Sequence, residues 1–319
     1  MKSPIEKLSA EEVNTEPRSC RELLEVFEKK DKLPKGEKLK FEGIDNKDVY
    51  NITAPFEIDG TFYIAGRVEP RSTNLDAQVA FFTEKDGVWR RDENTPIFKL
   101  EDPFVTKIGR EIIFGGVQTY PSTDPAIYIE GLGYRTIFYR GDNLQNLKRF
   151  VIGPEIMKDI RLVDLSDKTI GVFTRPQGKI GNKGKIGFIR INSIDQLNAE
   201  NILRAKLIQN QFSEDEWGSV NEAHQLESGL IDALGHIAYQ DIDKTKHYFA
   251  MKFKFNPETS EVSPLEIIAK RSDFPEGEAK RPDLKDVVFP GGIVKNKDQS
   301  YTLYAGLSDA ETGRINIPN

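Results

Sequence analysis

Short apolar, β-branched and aromatic runs separated by turn residues recur along this chain in five successive sets, and that recurrence limits the fold more than any other feature. The first set pairs VYNITAPFEI with TFYIAGRVEP and continues with QVAFFTE and GVWRR. The second runs from LEDPFVTKIGREIIFGGVQ through YRTIFYRG to LKRFVIG. The third has IRLVDLS, TIGVFTRPQG, KIGFIRI and AKLIQN, with a short helix expected near residues 194–203. The fourth has NEAHQLESG, IDALGHIAYQD, KHYFAMKFKF and PLEIIAK, and the fifth has DVVFPGGIV, SYTLYAGLSDAE and GRINI. Their spacing, roughly 50–65 residues, is near or above that of kelch repeats. Four strands per set, repeated radially, make an all-β, five-bladed β-propeller. The last set is short of strands, and residues 38–44 form a strand without a set, so the early strand is expected to complete blade five. A two-sheet sandwich with added hairpins is the competing arrangement.

Before the sets, residues 18–32 place Leu23, Leu24, Val26 and Phe27 at helical spacing, and Pro34 and Gly36 stop the run. This predicts one amphipathic helix covering an edge of the main domain. Residues 1–15 are polar and expected to be mobile. The organisation is then 1–36, a polar segment with its covering helix, and 37–319, the propeller. Net charge is -6 with both signs mixed, which argues against nucleic acid or an anionic membrane as the main partner. No stretch reaches the ~18 apolar residues of a membrane span, and the start has no signal-peptide core, so a cytoplasmic location is expected. Cys20 is the only cysteine, leaving no disulfide framework or thiolate cluster.

In a propeller the start of each inner strand and the end of the next lie at the same mouth. Reading those positions gives Asn51, Asp102, Arg161, His224 and Asp286 at the starts. It gives Arg67, Glu69, Gln118, Arg175, His236, Gln240 and Asp309 at the ends. A ring of convergent polar groups over an apolar body is how a binding site looks. Asp102 precedes Pro103, which pushes it toward an extended conformation at a strand mouth. A carboxylate beside arginines suits sugar chemistry with an acid. Hydrolysis needs a second carboxylate, and Glu101 is a poor one because adjacent strand residues point to opposite faces. An attacking phosphate needs no base, only cations to hold it. Arg161 and Arg175 should sit close together, Arg281 is a third candidate, and His224 and His236 can donate hydrogen bonds. There is no dinucleotide or P-loop motif; GKIGNKGKIG reads as a basic hairpin, and three histidines without HExxH spacing argue against zinc.

EDPFVTKIGREIIFGG resembles the EDPR-type segment of the mannoside phosphorylases of glycoside hydrolase family 130, and IRLVDLSDKTIGVFTRPQG and DVVFPGGIV with LYAGLSDAE resemble their third- and fifth-blade segments. DVYNITAPF, VNEAHQL, LGHIAY, RPDLKDVVFPGG and the CRELLEVF helix are more similar still to glycosyltransferase family 108, once known only as a domain of unknown function. The resemblance spans the chain from about Cys20 onward. It implies a β-1,2-mannoside phosphorylase or mannosyltransferase, inverting, forming α-mannose 1-phosphate or using GDP-mannose. No cofactor is implied, and the partners are a mannooligosaccharide and phosphate, with homo-oligomerisation left open. Asp102 would match the general acid, relayed through a mannose hydroxyl. Arg161, Arg175 and His236 would match the phosphate region, and Asp309 the donor-sugar contacts. Arg67, Glu69, Asp48 and Asn51 would match the first-blade sugar segment. One departure stands out: the arginine of EDPR is Phe104 here. Two other classes stay open, an inverting hydrolase using Asp164, Glu222 or Asp286 as second carboxylate, and a non-catalytic sugar-binding propeller.

Overall fold

Asp59-Gly60 and Asp86-Gly87 reverse the chain with φ of 50° and 78°, and of 55° and 76°. Two successive left-handed residues are what a type I′ hairpin needs, and Asp-Gly supplies them at little steric cost. Both turns lie in the first set and fold it back on itself as an antiparallel sheet. The computed structural model describes residues 17–30, 32–73, 76–124 and 131–318; residues 1–15, expected to be mobile, lie outside these.

The chain is all-β apart from short helices. In the first set Asp48–Tyr50 and Phe56–Ile58 pair with Thr61–Glu69, followed by Gln78–Lys85 and Val88–Arg91. The second is Glu101–Ile108, Glu111–Pro121, Leu132–Gly141 and Lys148–Glu155. The third is Arg161–Asp164, Ile170–Thr174, Gly187–Ile191 and Lys206–Leu207. Trp217–Gln225, Ile231–Gln240, Lys246–Phe255 and Glu266–Ala269 make the fourth, and Asp286–Lys295, Tyr301–Leu307 and Glu311–Ile317 the fifth. The last two are joined by a short parallel pairing of His247 with Asp286 and Tyr248 with Val287.

The strand expected at 38–44 is divided. Glu37–Lys38 pairs antiparallel with Glu311–Ile317, and Lys40–Glu42 runs parallel to Val88–Arg91. One short stretch therefore ties the fifth set to the first.

Apolar side chains pack between the sets, not within one central slab. Ile58, Phe81, Phe114 and Ile137 join the first set to the second, and Phe104, Phe138, Leu162 and Val172 join the second to the third. Phe173, Phe188, Phe249 and Phe255 join the third to the fourth. Leu234, Ala250, Val288 and Leu303 join the fourth to the fifth, while Val49, Ile52 and Ile64 meet Tyr304 of the fifth. A two-sheet sandwich would give one such interface; here each set has one on either side. All five sets also line one narrow cavity, through Phe56, Phe104, Arg161, Asn221 and Gly291.

The predicted helix spans Cys20–Glu28, with Ser19 and Glu22 forming a reciprocal capping box at its start. Cys20 and Leu23 are buried against the third and fourth sets. Lys30 with Glu266, and Lys270 with Glu28, hold the helix along the outer strand of the fourth set.

Candidate active site

The polar cluster grows from a break in strand geometry. The register of Glu101–Ile108 against its neighbour shifts between Glu101 and Phe104, and Asp102 takes φ of 47°. The extended conformation expected ahead of Pro103 is therefore not adopted. A non-glycine residue in this region is strained, and such strain persists where surrounding contacts over-determine it. Asn51, Asp159 and Asp309 share the same anomaly, with φ of 46°, 58° and 50°.

The bulge turns two neighbouring carboxylates the same way. Arg67 Nη1 lies 3.2 Å from Asp102 Oδ1 and 3.1 Å from Glu101 Oε2. Strict alternation made Glu101 a poor partner for Asp102; the bulge suspends that alternation and brings them together. Asn51 Nδ2 donates to Asp102 at 2.8 Å, and Asp102 is 5% exposed. Burial works to raise the Asp102 carboxyl, but the charges of Arg67 and Lys158 and the hydrogen bonds from Asn51 and Arg67 hold it below the ordinary range. Glu101 goes the other way: burial, helped by the charge of Asp102, raises it against the pull of Arg67.

Arg67 donates through Nη2 to Glu69 at 2.9 Å and stacks 4.9 Å over the Tyr50 ring. Tyr50 Oη and Lys280 Nζ both donate to Glu69, which is 0% exposed. Asp309 is half-buried behind this group, and burial raises its carboxyl despite Arg67.

The charges of Lys158 and Arg161 also act on Asp102, and these two belong to a cationic group. Arg175 Nη1 reaches Asp159 Oδ2 at 3.3 Å, and Arg161 lies 3.9 Å from the other oxygen. Lys158 carries its charge beside Asp159 and Asp102 without donating a hydrogen bond to either. Three cations therefore face one paired carboxylate, Asp159. His236 completes the group, its Nδ1 2.9 Å from Asn221 Oδ1. Burial, reinforced by the neighbouring cations, pushes its imidazole down to about 3, so it is neutral. Asp159 Oδ1, Asn221 Nδ2 and Arg67 Nε have no hydrogen-bond partner among the described residues. Buried polar atoms are rarely left so, and their concentration here marks a place built for a polar ligand.

Two sequence features gain a physical role. Phe104, where an arginine was expected by resemblance, lies under the Arg161 guanidinium at 4.6 Å. An arginine there would repel Arg161; the aromatic ring steadies it. The glycine-rich stretch read as a basic hairpin seats Arg175. A Cβ on Gly184 would fall 2.6 Å from Arg175 Nε, and its φ of 141° also suits glycine alone.

Not every expected residue joins. His224 and Asp164 lie at the opposite, hairpin end of their strands, opposite Asp232 and Ile170. The fourth set begins at Trp217, earlier than NEAHQL suggested, because Gly218 and Ser219 read as loop. His224 is exposed beside Glu222 at 3.2 Å, which raises its imidazole, and Glu222 accepts from Ile293 N at 2.8 Å. Asp164 accepts from Gly109 N. Asp286 binds His247 Nδ1 at 2.6 Å at the rim of the fourth set. Arg281 is exposed and forks onto Asp283, while its neighbour Lys280 points in. Gln118 accepts from Arg135, and Asp48 is held by Arg71. Sequence reading missed Lys158, Asp159, Lys280, Tyr50 and Asn221. Only the lysine and aspartate preceding Arg161 carried a signal, as charges at the start of an inner strand.

The sequence profile of DUF1861, described as a protein of unknown function, matches residues 25–319. No curated protein matches the chain. MPT-4, a mannose phosphorylase from Leishmania mexicana solved in complex with phosphate ion, is 36% identical over 93% of this chain and 92% of that chain, with a TM-score of 0.86. MPT-1, a GDP-Man-dependent mannosyltransferase from Leishmania mexicana, is 35% identical over 94% of each chain, with a TM-score of 0.85. A structure from the GH130 family of mannoside phosphorylases, which contains glycoside hydrolases that target β-1,2 mannosidic linkages in Candida mannan, is 16% identical over 85% of this chain and 84% of that chain. Its TM-score of 0.57 reflects a shared fold.

Proposed function

The chain belongs to the DUF1861 family, and from its likeness to MPT-4 and the cations around Asp102 we propose that it is a carbohydrate-active enzyme, an inverting β-mannoside phosphorylase that forms α-mannose 1-phosphate. The scaffold is a five-bladed β-propeller, a reading supported by the five interlocking apolar clusters and the cavity lined from every set. The preferred substrate is a β-1,2-mannooligosaccharide. The observation that carries the proposal is Asp102 buried against Arg67 and Asn51, with the charges of Lys158 and Arg161 acting on it and Asp159 tying Arg161 to Arg175.

In phosphorolysis the glycosidic C1–O bond breaks with its electron pair on the leaving oxygen. A phosphate oxygen forms the new C1–O bond from the opposite face, and the leaving oxygen takes a proton from Asp102 through a mannose hydroxyl. Arg175 and Arg161 hold the phosphate by charge-assisted hydrogen bonds, and Lys158 adds a point charge. The free protein keeps Asp102 ionised, the state that accepts a proton from an acceptor hydroxyl in the synthetic direction. A bound phosphate anion offsets the cations and raises Asp102 toward the protonated state that phosphorolysis needs.

A hydrolase is less well supported. Asp164 and Asp286 are engaged elsewhere, and Glu222 is bound to Ile293. Glu101 is too close: oxygens 3.1 and 3.2 Å from one nitrogen cannot be as far apart as the roughly 6.5–9.5 Å that admits an attacking water. Transfer from GDP-mannose is the second reading, favoured by the likeness to MPT-1. The test incubates the protein with β-1,2-mannobiose, with and without phosphate, and assays mannose 1-phosphate. Phosphate-independent release of mannose would sink the phosphorylase, and product from GDP-mannose plus mannose alone would favour the transferase.

A further inference from the structure

We propose that Lys280 is a positioning residue for the transfer: by occupying Glu69 it leaves the Arg67 guanidinium free to hold Asp102. The role rests on the mannosyl-transfer reading above and falls to a residue from outside the inner strands.

The need for it lies in the local charges. Arg67 meets three carboxylates, Glu69 at 2.9 Å, Glu101 at 3.1 Å and Asp102 at 3.2 Å, all largely withdrawn from solvent. One guanidinium cannot balance three buried carboxylates, and an uncompensated charge away from water is costly. Glu69 is the most demanding of them, being 0% exposed. Alone with Arg67, it would draw the guanidinium away from Asp102. Lys280 Nζ supplies a second cation, 2.5 Å from Glu69 Oε2, on a side chain that is itself buried. It also donates to Tyr50 Oη at 2.8 Å, so the Tyr50 ring is held between Lys280 and Arg67, 5.2 and 4.9 Å from its centre. Arg67, Lys280 and Tyr50 all donate to the same oxygen of Glu69, and Oε1 has no hydrogen-bond partner among the described residues. Among those residues no other cation pairs with Glu69.

The fold fixes Lys280 in this place. It comes from the segment between the fourth and fifth sets and reaches across to the first. Its backbone N–H donates to Ser308 O at 3.0 Å, and Arg271 Nε donates to Ser308 Oγ at 2.9 Å. Ser308 and Asp309 both take left-handed φ, 54° and 50°. The turn that carries Asp309 and the cation that serves Glu69 are thereby tied to each other.

The consequence falls on Asp102. It is faced by Arg67 and Asn51 from the first set, by its neighbour Glu101, by Lys158 and Arg161 at the entry to the third, and by Asp309 from the fifth. Without the Lys280 charge, Glu69 takes a larger share of Arg67, and Asp102 keeps its proton to higher pH. Without the Glu69 charge, Arg67 is released to Asp102, which gives up its proton at lower pH. The two losses move one group in opposite directions, which lost packing does not do.

The experiment follows phosphorolysis of β-1,2-mannobiose by the full chain at saturating phosphate across pH. There kcat falls on the alkaline side as Asp102 loses the proton it must deliver. Lys280→Met should move that limb up by about one pH unit, and Glu69→Gln should move it down by about as much. The double variant should return to within about 0.3 of the wild-type limb, and Lys280→Arg, which keeps the charge, should leave it in place. Movement of both single variants in one direction, or a lower rate with the limb unmoved, overturns the proposal. If Lys280→Met alone does not fold, the double variant is compared with Glu69→Gln: a limb about one pH unit higher upholds the role, and equal limbs remove it. A second readout needs no turnover: carboxyl ¹³C NMR of aspartate-labelled protein, with the Asp102 signal identified by Asp102→Asn, should show the same opposed movements. Should the wild type turn over no mannoside, the phosphorylase reading fails, and that titration decides for or against Lys280.

Discussion

The two ends of the inner strands carry similar residue types and treat them in opposite ways. At one end Asn51, Asp102, Arg161, Arg175 and His236 are all nearly inaccessible, and the carboxylates are met by cations and amides. At the other, Asp164 and His224 are exposed, each with a single local contact. Burying charge costs several kcal/mol per ion unless partners compensate, so a fold keeps such a group only where its arrangement has a use. Position at a strand end is therefore weak information, and burial with incomplete hydrogen bonding is strong information. The comparison can be broken most directly at Asp102. Asp102→Asn keeps size and removes the titrating group, so turnover should fall by about 10²–10⁴-fold. Binding of β-1,2-mannobiose, read by calorimetry, should change by only a few-fold. Full turnover in the variant would end the claim that this end of the strands holds the chemistry.

The next effect concerns the cations. Arg175→Lys keeps the charge but loses the fork to Asp159 and to the Gly218 carbonyl. The KM for phosphate should rise by about ten- to a hundredfold, with the KM for mannoside little changed. Gly184→Ala should produce a smaller rise of the same kind, because the added methyl displaces the guanidinium. Unchanged phosphate dependence in both variants would assign Arg175 to structure alone.

Acid sensitivity sharpens the comparison further. His236 in the folded chain takes a proton only near pH 3, whereas the unfolded chain takes it near 6.5. Between those values the unfolded state binds more protons, so stability falls as pH falls, by up to about 1.4 kcal/mol per pH unit from this group. Asp102 and Asp159, held low by their cations, add loss in the same direction at lower pH. In His236→Gln, urea unfolding measured between pH 6.5 and 4.5 should show a shallower decline. An identical slope would mean that the imidazole is not buried neutral.

Much of this was legible in the chain because turn chemistry and apolar runs are local signals. Turn residues between apolar runs, and the helical spacing of Leu23, Leu24, Val26 and Phe27, need no knowledge of the rest of the fold. Asp102, Arg161 and Arg175 were legible because each sits beside a proline or at a strand end that periodicity could place. What failed was whatever depended on register. A bulge at Asp102 moved Glu101 to the same side, and an early start at Trp217 carried His224 to the wrong end. A one-residue slip reverses the facing of a strand, and no local propensity reports it. Lys280 and Arg281 make the same point: adjacent in sequence, one is buried on Glu69 and the other forks outward onto Asp283.

The smallest expected effect is the counterpart of the first. His224→Ala and Asp164→Asn alter exposed groups whose partners, Glu222 and the Gly109 amide, have solvent or the Ile293 amide as replacement. Each should leave stability within about 0.5 kcal/mol and kcat/KM within about twofold. Glu222 is the sensitive point of this test, because it accepts from Ile293 and its strand also lines the central cavity near Arg161. If His224→Ala slowed turnover tenfold while the melting temperature held, the two ends of the inner strands would be coupled through that strand. The division between a buried, working end and a solvated one would then be wrong for the fourth set.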